Sequence, residues 1–461
     1  MDLRETIRST PMRAHQWGIA FVCIALTVIE GYEISVMTFV LPTLAAAWKL
    51  DAVTSGYLLS SAIFGMAAGA VFVAPLADRI GRRLHIMLCL ALAAVSMALT
   101  GWAPGIGALL AARAFAGVWL GAMIPSIGCI VTEYASERQR GTVLGIYAIG
   151  LPLGALIGGA ATGLMMLYWG WRGPFYLTAV LSVFAVVLVY FVLPESIEFL
   201  VERRPRNALH VYNKIALLLG HATAERLPQP RGHAVTKGTL KAIFSGTLIK
   251  RTFWLWLGYF LLYATFSFSS TWTPKLVADA MKDAGAGRMA GVFLGVGGII
   301  GSLAFAALAA KWKPRLITVA MLVVGLPCYL AFAAMYDAPV AGLVAVVLIG
   351  VVTVGGVAAV NAVALNVYPT AIRSTAFGFM MGVGRGVSIT VPILMGYLFQ
   401  AGMTRQSAYQ WSGAVILLAG LAIFGLHLTY RGRTEDPELV VDEDETRYAE
   451  PSGKEVASVS R

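Results

Sequence analysis

The sequence predicts an all-α integral membrane protein with about twelve transmembrane helices in two six-helix halves. Three observations predict it. Of 461 residues, 58 % are hydrophobic and only 13 % are charged, roughly half the charged share of a soluble domain. The apolar residues fall in runs long enough to cross a bilayer. The second half of the chain repeats features of the first at a constant offset. The net charge of +11 does not point to nucleic acid. Its lysines and arginines sit in short loops between apolar runs, as the positive-inside rule describes.

In chain order, the first six spans are expected near 17–40, 54–77, 84–102, 106–131, 141–166 and 173–193. The second six are expected near 252–273, 288–310, 315–335, 339–362, 374–398 and 406–429. The organisation is thus an N-terminal half (1–193), a polar cytoplasmic central loop (194–251), a C-terminal half (252–430) and a tail (431–461). The tail carries Asp442-Glu443-Asp444-Glu445 and has the composition of a disordered cytoplasmic segment. Arg4, Arg8 and Arg13 before the first run imitate a signal peptide, but that run is too long for one. Cys23, Cys89, Cys129 and Cys328 lie in apolar segments without metal-ligand spacing, so neither a metal site nor a disulfide framework is expected. With both termini cytoplasmic, the inside segments before the tail carry 22 Lys/Arg and the outside loops six. That asymmetry sets the orientation. No Asn-x-Ser/Thr acceptor occurs, which favours a bacterial cytoplasmic (inner) membrane.

The repeat is read from prolines, glycines and bases. Pro42 is expected to end span one and Pro274 span seven. In that ungapped register Gly65 meets Gly297, Gly69 meets Gly301, Arg79 meets Lys311 and Arg83 meets Arg315. Two six-helix halves repeated in parallel around a long loop are the plan of the major facilitator architecture.

Against this symmetry stand four charges within the spans: Glu30, Glu33, Arg113 and Arg385. None is duplicated: Leu262 and Thr265 stand opposite Glu30 and Glu33, and the first-half region corresponding to Arg385 holds Pro152. Packing is served by symmetry, whereas a site needs asymmetric charge. A carboxylate at mid-membrane costs about 2.5–3.5 kcal/mol on insertion scales, so two acids there mark a proton and substrate site. The bland alternative is that both lie near the surface and snorkel. Arg113, Gly117 and Gly121 recur every four residues on one face of span four, where small residues admit another helix or a substrate. His427, late in span twelve, reads as the only spanning histidine and as interfacial.

Several motifs carry a resemblance. Leu76-Ala77-Asp78-Arg79-Ile80-Gly81-Arg82-Arg83 resembles the loop signature of the major facilitator superfamily, with Ala74 where the pattern usually has glycine. Physically it is a latch: an acid at a helix end pairs with bases or a neighbouring helix N-terminus, and glycine permits the tight turn. The equivalent loop Ala310-Lys311-Trp312-Lys313-Pro314-Arg315 lacks the acid. Glu133-Tyr134-Ala135-Ser136-Glu137-Arg138 and Tyr368-Pro369-Thr370-Ala371-Ile372-Arg373 resemble the loops after spans four and ten, with interdomain charge pairing as their role. Leu193-Pro194-Glu195-Ser196-Ile197-Glu198 resembles the segment closing span six, whose acids can cap the following helix. Together with Glu30-Gly31-Tyr32-Glu33 and Gly384-Arg385, these motifs resemble the aromatic acid:proton symporter family over roughly residues 15–430. That family has Asp-Gly-x-Asp where this chain has two glutamates.

The resemblance implies import of a small aromatic carboxylate, such as a hydroxybenzoate, by proton symport. Proton coupling then falls to Glu30 and Glu33. Substrate binding falls to Arg113, Arg385, Tyr32, Tyr263, Phe266 and Asn361, with Tyr259, Ser270 and Trp119 as further wall residues. Gating falls to Asp78, Arg79, Gly81, Arg82, Glu133, Arg138 and Arg373. The residues support the cargo independently, because a carboxylate needs a buried cation and a symporter needs a proton carrier. The chain is expected to act without a cofactor, as a monomer, with the proton gradient as drive. Its partners are the organic anion, the proton and the lipid bilayer, not nucleic acid. The rivals are symport of another organic acid, for example a nicotinate-like ring, and proton-coupled export. Export is disfavoured because Gly150-Leu-Pro152-Leu-Gly154 departs from the antiporter spacing Gly-Pro-x-x-Gly-Gly. An enzyme is disfavoured because the spans lack a nucleophile–base pair or metal cluster.

Overall fold

The computed structural model of the protein describes residues 2–229, 243–244, 248–309, 311–335, 338–368 and 370–430. Every regular element among them is helical. Ten stretches are long and apolar enough to cross a membrane. One of them, Glu137–Val192, holds two helices, Glu137–Trp169 and Gly173–Val192, joined by a short turn. A further helix, Leu248–Met281, completes twelve; its 34 residues include a hydroxyl-rich middle from Thr265 to Thr273 that lowers its apolar character. The twelve spans match the sequence expectation in number and order. The remaining ones are Ala14–Trp48, Ala52–Ala68 continued by short turns to Ile80, Arg82–Trp102 and Ile106–Tyr134 in the first half. In the second half they are Ala284–Ala309, Pro314–Met335, Pro339–Val367, Thr370–Gln400 and Arg405–Leu428.

The prolines expected to end spans one and seven do not. Pro42 lies inside Ala14–Trp48 and Pro274 inside Leu248–Met281. In a helix bundle the carbonyl that proline leaves unpaired is tolerated, because packing against neighbours holds the helix through the break. The true ends are Lys49 and Lys282, with φ of 52° and 54°. Each closes its helix the same way: Leu50 N donates to Ala45 O at 3.0 Å and Asp283 N to Ala278 O at 3.1 Å. An aspartate then caps the next span. Asp51 accepts from Thr54 N at 2.9 Å, and Asp283 accepts from Gly285 N at 2.7 Å.

The repeat is visible in packing as well. Gly65 and Gly69 of span two approach the backbone of Ala114 and Val118 in span four, and Gly297 and Gly301 of span eight approach Val347 and Val351 in span ten. Within each half the pairings are equivalent: spans one with five, two with four and three with six correspond to seven with eleven, eight with ten and nine with twelve.

The halves meet through spans two with eleven, five with eight and one with seven. These contacts lie toward the ends away from the termini. There Ser60 Oγ donates to Ile389 O at 2.7 Å, and the Tyr57 and Tyr397 hydroxyls are 3.2 Å apart. Gly159 lies against Val292, and Gly291 against Phe39. On the termini-bearing side, spans four and five make no substantial packing with ten and eleven among the described residues. The cleft between the halves therefore opens on that side.

Among the described residues of the central stretch are two short helices, Ile197–Arg203 and Ala208–Leu218. The N-terminal helix Leu3–Ser9 straps onto them: Leu3 N donates to Tyr212 Oη at 2.8 Å, and Arg4 reaches Glu198 at 3.4 Å. The acidic tail lies outside the described residues.

Candidate transport site

Glu30 and Glu33 are each 0 % exposed, so neither reaches the surface and the snorkelling alternative fails. Their depth follows from how span one meets span five. Gly31 lies against the Leu151 backbone, Gly154 against Val28 and Gly158 against the Tyr32 ring. Helices without side chains at the crossing approach closely and exclude lipid. Tyr32 is part of this seam rather than of the cleft wall: it is buried, and its hydroxyl accepts from Thr162 Oγ1 at 3.3 Å.

The two glutamates have different surroundings. Glu33 turns into the first half. Its Oε1 lies 2.5 Å from Ser182 Oγ, and its Oε2 has no hydrogen-bond partner. Arg113, 1 % exposed, donates to the Glu33 main-chain carbonyl at 3.3 and 3.4 Å rather than to the carboxyl group. It also lies 3.6 Å from Met97 Sδ and 5.9 Å from the Phe175 ring. Glu30 has no partner at either oxygen. The charges that bear on it are Arg385, from the second half, and Glu33.

Arg385 is half-buried in span eleven. It forms no ion pair with either glutamate, and its field reaches Glu30, Tyr259 and Tyr263. Beside it an aromatic ladder climbs span seven. The Tyr259 and Tyr263 rings are 4.9 Å apart and the Tyr263 and Phe266 rings 5.2 Å apart. Gly384 leaves the room these tyrosines occupy, since a Cβ there would meet both. Tyr259 is fully buried and bonds to Met381 Sδ at 3.1 Å, while Tyr263 and Phe266 keep part of their surface open. Asn361 Oδ1 and Trp119 Nε1 are buried without partners. Gly117 and Gly121, which left helix or substrate open, lie against Ala62 and Met66 of span two. They serve helix packing.

The expected gating residues divide. Gly81, at φ of 98°, forms the turn between spans two and three, a backbone conformation that favours glycine. Glu195 Oε1 accepts from Arg82 N at 2.8 Å, Arg83 N at 3.0 Å and Ser196 N at 2.9 Å. It therefore caps span three, whereas Ser196 caps the following helix through Phe199 N at 3.1 Å. Arg82 forms an ion pair with Glu133, whose other oxygen accepts from Ser196 Oγ at 2.7 Å. All these partners belong to the first half or to the start of the central stretch. Among the described residues Glu133 therefore braces the start of span three against the central stretch and makes no interdomain pair. Asp78, Arg79 and Arg138 are exposed and make no hydrogen bond or ion pair among the described residues. The Arg373 side chain lies outside the described residues.

Sequence reasoning missed Ser182, whose single hydroxyl in an apolar run gives no signal. His85 corrects the reading of His427 as the only spanning histidine: it is buried in span three, with Nδ1 3.0 Å from Ser126 Oγ.

Two repeated helical halves around a charged cleft define a polytopic membrane transporter rather than an enzyme. Residues 23–391 match the Major Facilitator Superfamily, and the chain belongs to it. It is 28 % identical over 393 residues to the 4-hydroxybenzoate transporter PcaK of Pseudomonas aeruginosa, covering 84 % of this chain and 86 % of that one. It is 27 % identical over 426 residues to the gallate transporter of Pseudomonas putida, covering 92 % and 94 %. Among solved structures, the inward-open xylose transporter XylE of E. coli superposes with a TM-score of 0.71 at 16 % identity, covering 92 % of this chain and 99 % of that one. That last likeness concerns the fold alone.

Proposed function

We propose that the protein imports a small aromatic carboxylate together with protons, by alternating access between its two halves. The observation that carries this reading is Arg385: a cation with no ion-pair partner among the described residues, next in the chain to Gly384, which lies against Tyr259 and Tyr263, and near enough to Glu30 to act on it through space. A guanidinium fork suits a carboxylate, and the ladder offers flat apolar faces to a ring. Asn361, with its unpartnered amide oxygen, suits a ring hydroxyl. The transporters of 4-hydroxybenzoate and gallate among its relatives support the same cargo class.

The mechanism is competition for arginine. A buried carboxylate without a cation is tolerated in its neutral form, and an ionised one requires a partner. Glu30 and Glu33 have no such pair here, which fits protonated acids and a free Arg385. The substrate carboxylate takes Arg385 in that state. After substrate and proton leave, ionised Glu30 replaces the substrate at Arg385. Only the fully loaded and the empty cleft are then neutralised, so the two fluxes are coupled. Lysine and arginine asymmetry supports cytoplasmic termini, and the lack of Asn-x-Ser/Thr acceptors supports a bacterial inner membrane. The open cleft accordingly faces inward. The protein works as a monomer without a cofactor.

The test is uptake into proteoliposomes under an inward proton gradient, with labelled 4-hydroxybenzoate, benzoate and protocatechuate, and with nicotinate and a sugar as controls. Gradient-driven uptake of a benzoate, lost in Arg385→Ala, is the expected result. Uptake of nicotinate alone would shift the cargo to the rival organic acid. Uptake indifferent to the gradient would remove proton coupling.

A further inference from the structure

We infer that Ser182 is the positioning residue for the Glu33 proton, a hydroxyl that reverses its hydrogen-bond direction with the protonation state of Glu33. The inference rests on the proposed reading of Glu33 as a proton carrier. Ser182 is fully buried, with Oγ 2.5 Å from Glu33 Oε1 and 2.9 Å from the Thr178 carbonyl. A serine hydroxyl owns one hydrogen and accepts through its lone pairs. It cannot donate to both oxygens at once, so the two contacts imply two arrangements.

When Glu33 is protonated, its O–H donates to Ser182 Oγ, and the Ser182 hydroxyl donates to Thr178 O. When Glu33 is ionised, Ser182 turns its hydrogen onto the carboxylate, and Thr178 O keeps only its helical partner. The proton that arrives or leaves is always that of Glu33. Ser182 never ionises; it only rotates. Among the described residues no other hydrogen-bonding group reaches the carboxyl. Oε2 is unpartnered, and the Arg113 donors facing Glu33 are directed at its main-chain carbonyl. The charged groups nearby are Arg113 from span four and Glu30 from span one; Ser182 and Phe175 of span six and Met97 of span three do not titrate at working pH. Ser182 thus gives one buried carboxyl a hydrogen bond in both of its states. A purely structural serine would bond in one direction only.

The test needs no knowledge of the cargo. Full-length protein in nanodiscs is followed by pH-difference infrared spectroscopy, with the Glu33 carboxyl band assigned by its loss in Glu33→Gln. In Ser182→Ala the protonated band moves to higher frequency because the carboxyl loses its acceptor, and in Ser182→Thr the wild-type position returns. In parallel, Ser182→Ala lowers proton-driven uptake by about tenfold or more, the worth of one hydrogen bond to a charged group, and spares substrate exchange. A Glu33 band that titrates but ignores Ser182→Ala overturns the relay and leaves the proposed symport standing. A wild-type protein with no titrating Glu33 band overturns Glu33 as proton carrier, and the relay with it.

Discussion

Replacing Glu195 by alanine removes the acceptor that three backbone N–H groups share. Arg82 N, Arg83 N and Ser196 N lie 2.8, 3.0 and 2.9 Å from one carboxylate oxygen. Two of these donors open span three directly after the left-handed Gly81, so the carboxylate is both cap and counter-charge to a helix N-terminus. Losing a cap costs about 0.5–2 kcal/mol, and losing the charge opposite the helix dipole costs about 0.3–1 kcal/mol. The third donor brings the expected loss to about 2–3 kcal/mol. The Tyr134 hydroxyl bonds to the Glu195 main-chain carbonyl at 2.7 Å and survives the substitution. Glu195→Gln keeps the acceptor without the charge and costs about half as much. The assay is thermal unfolding in detergent, followed by fluorescence-detected gel filtration. A Glu195→Ala protein that melts with the wild type, or Gln and Ala variants that are equally damaged, would refute the capping argument.

Other outcomes follow from the same structure. Gly31→Ala drives a Cβ into the Leu151 backbone, and it lowers stability by about 1–3 kcal/mol in the same melting assay. Arg385→Ala weakens substrate binding by about 10- to 100-fold in a radioligand assay, and Arg385→Lys recovers only part, because a lysine cannot form the planar fork. Hydrogen bonds from Thr54 hold the Asp51 carboxyl below the usual carboxylate range. The stabilisation from this cap is therefore complete at neutral pH and lost as pH falls through and below about 3.9. Melting curves of wild type and Asp51→Ala should differ at pH 7 and converge in acid.

Much of the fold was legible because a bilayer imposes a length and a sign rule on every span. The constant offset between Gly65 and Gly297 translated directly into the same helix crossing in each half. The prolines misled, since Pro42 and Pro274 obey the tolerance of packed membrane helices rather than the rule for exposed ones. Burial of Glu30, Glu33 and Arg113 was legible from the cost of charge in hydrocarbon. Their relative aim was not. Residue spacing puts Arg113 near the glutamates but cannot show that it grips a carbonyl and not a carboxylate. Tyr32 was misplaced because its face depends on the glycines of span five, more than a hundred positions away. Ser182 was invisible for the same reason: it meets Glu33 across 149 residues of chain.

The coupling of cargo to protons is the central claim, and it is measured most directly without an imposed gradient. Unbuffered proteoliposomes receive a benzoate that the protein transports, and the outside pH is recorded. The account predicts alkalinisation that tracks substrate entry, and that vanishes when Glu30→Gln and Glu33→Gln are combined although exchange of substrate continues. Substrate entry with no accompanying proton movement in the wild-type protein would contradict it.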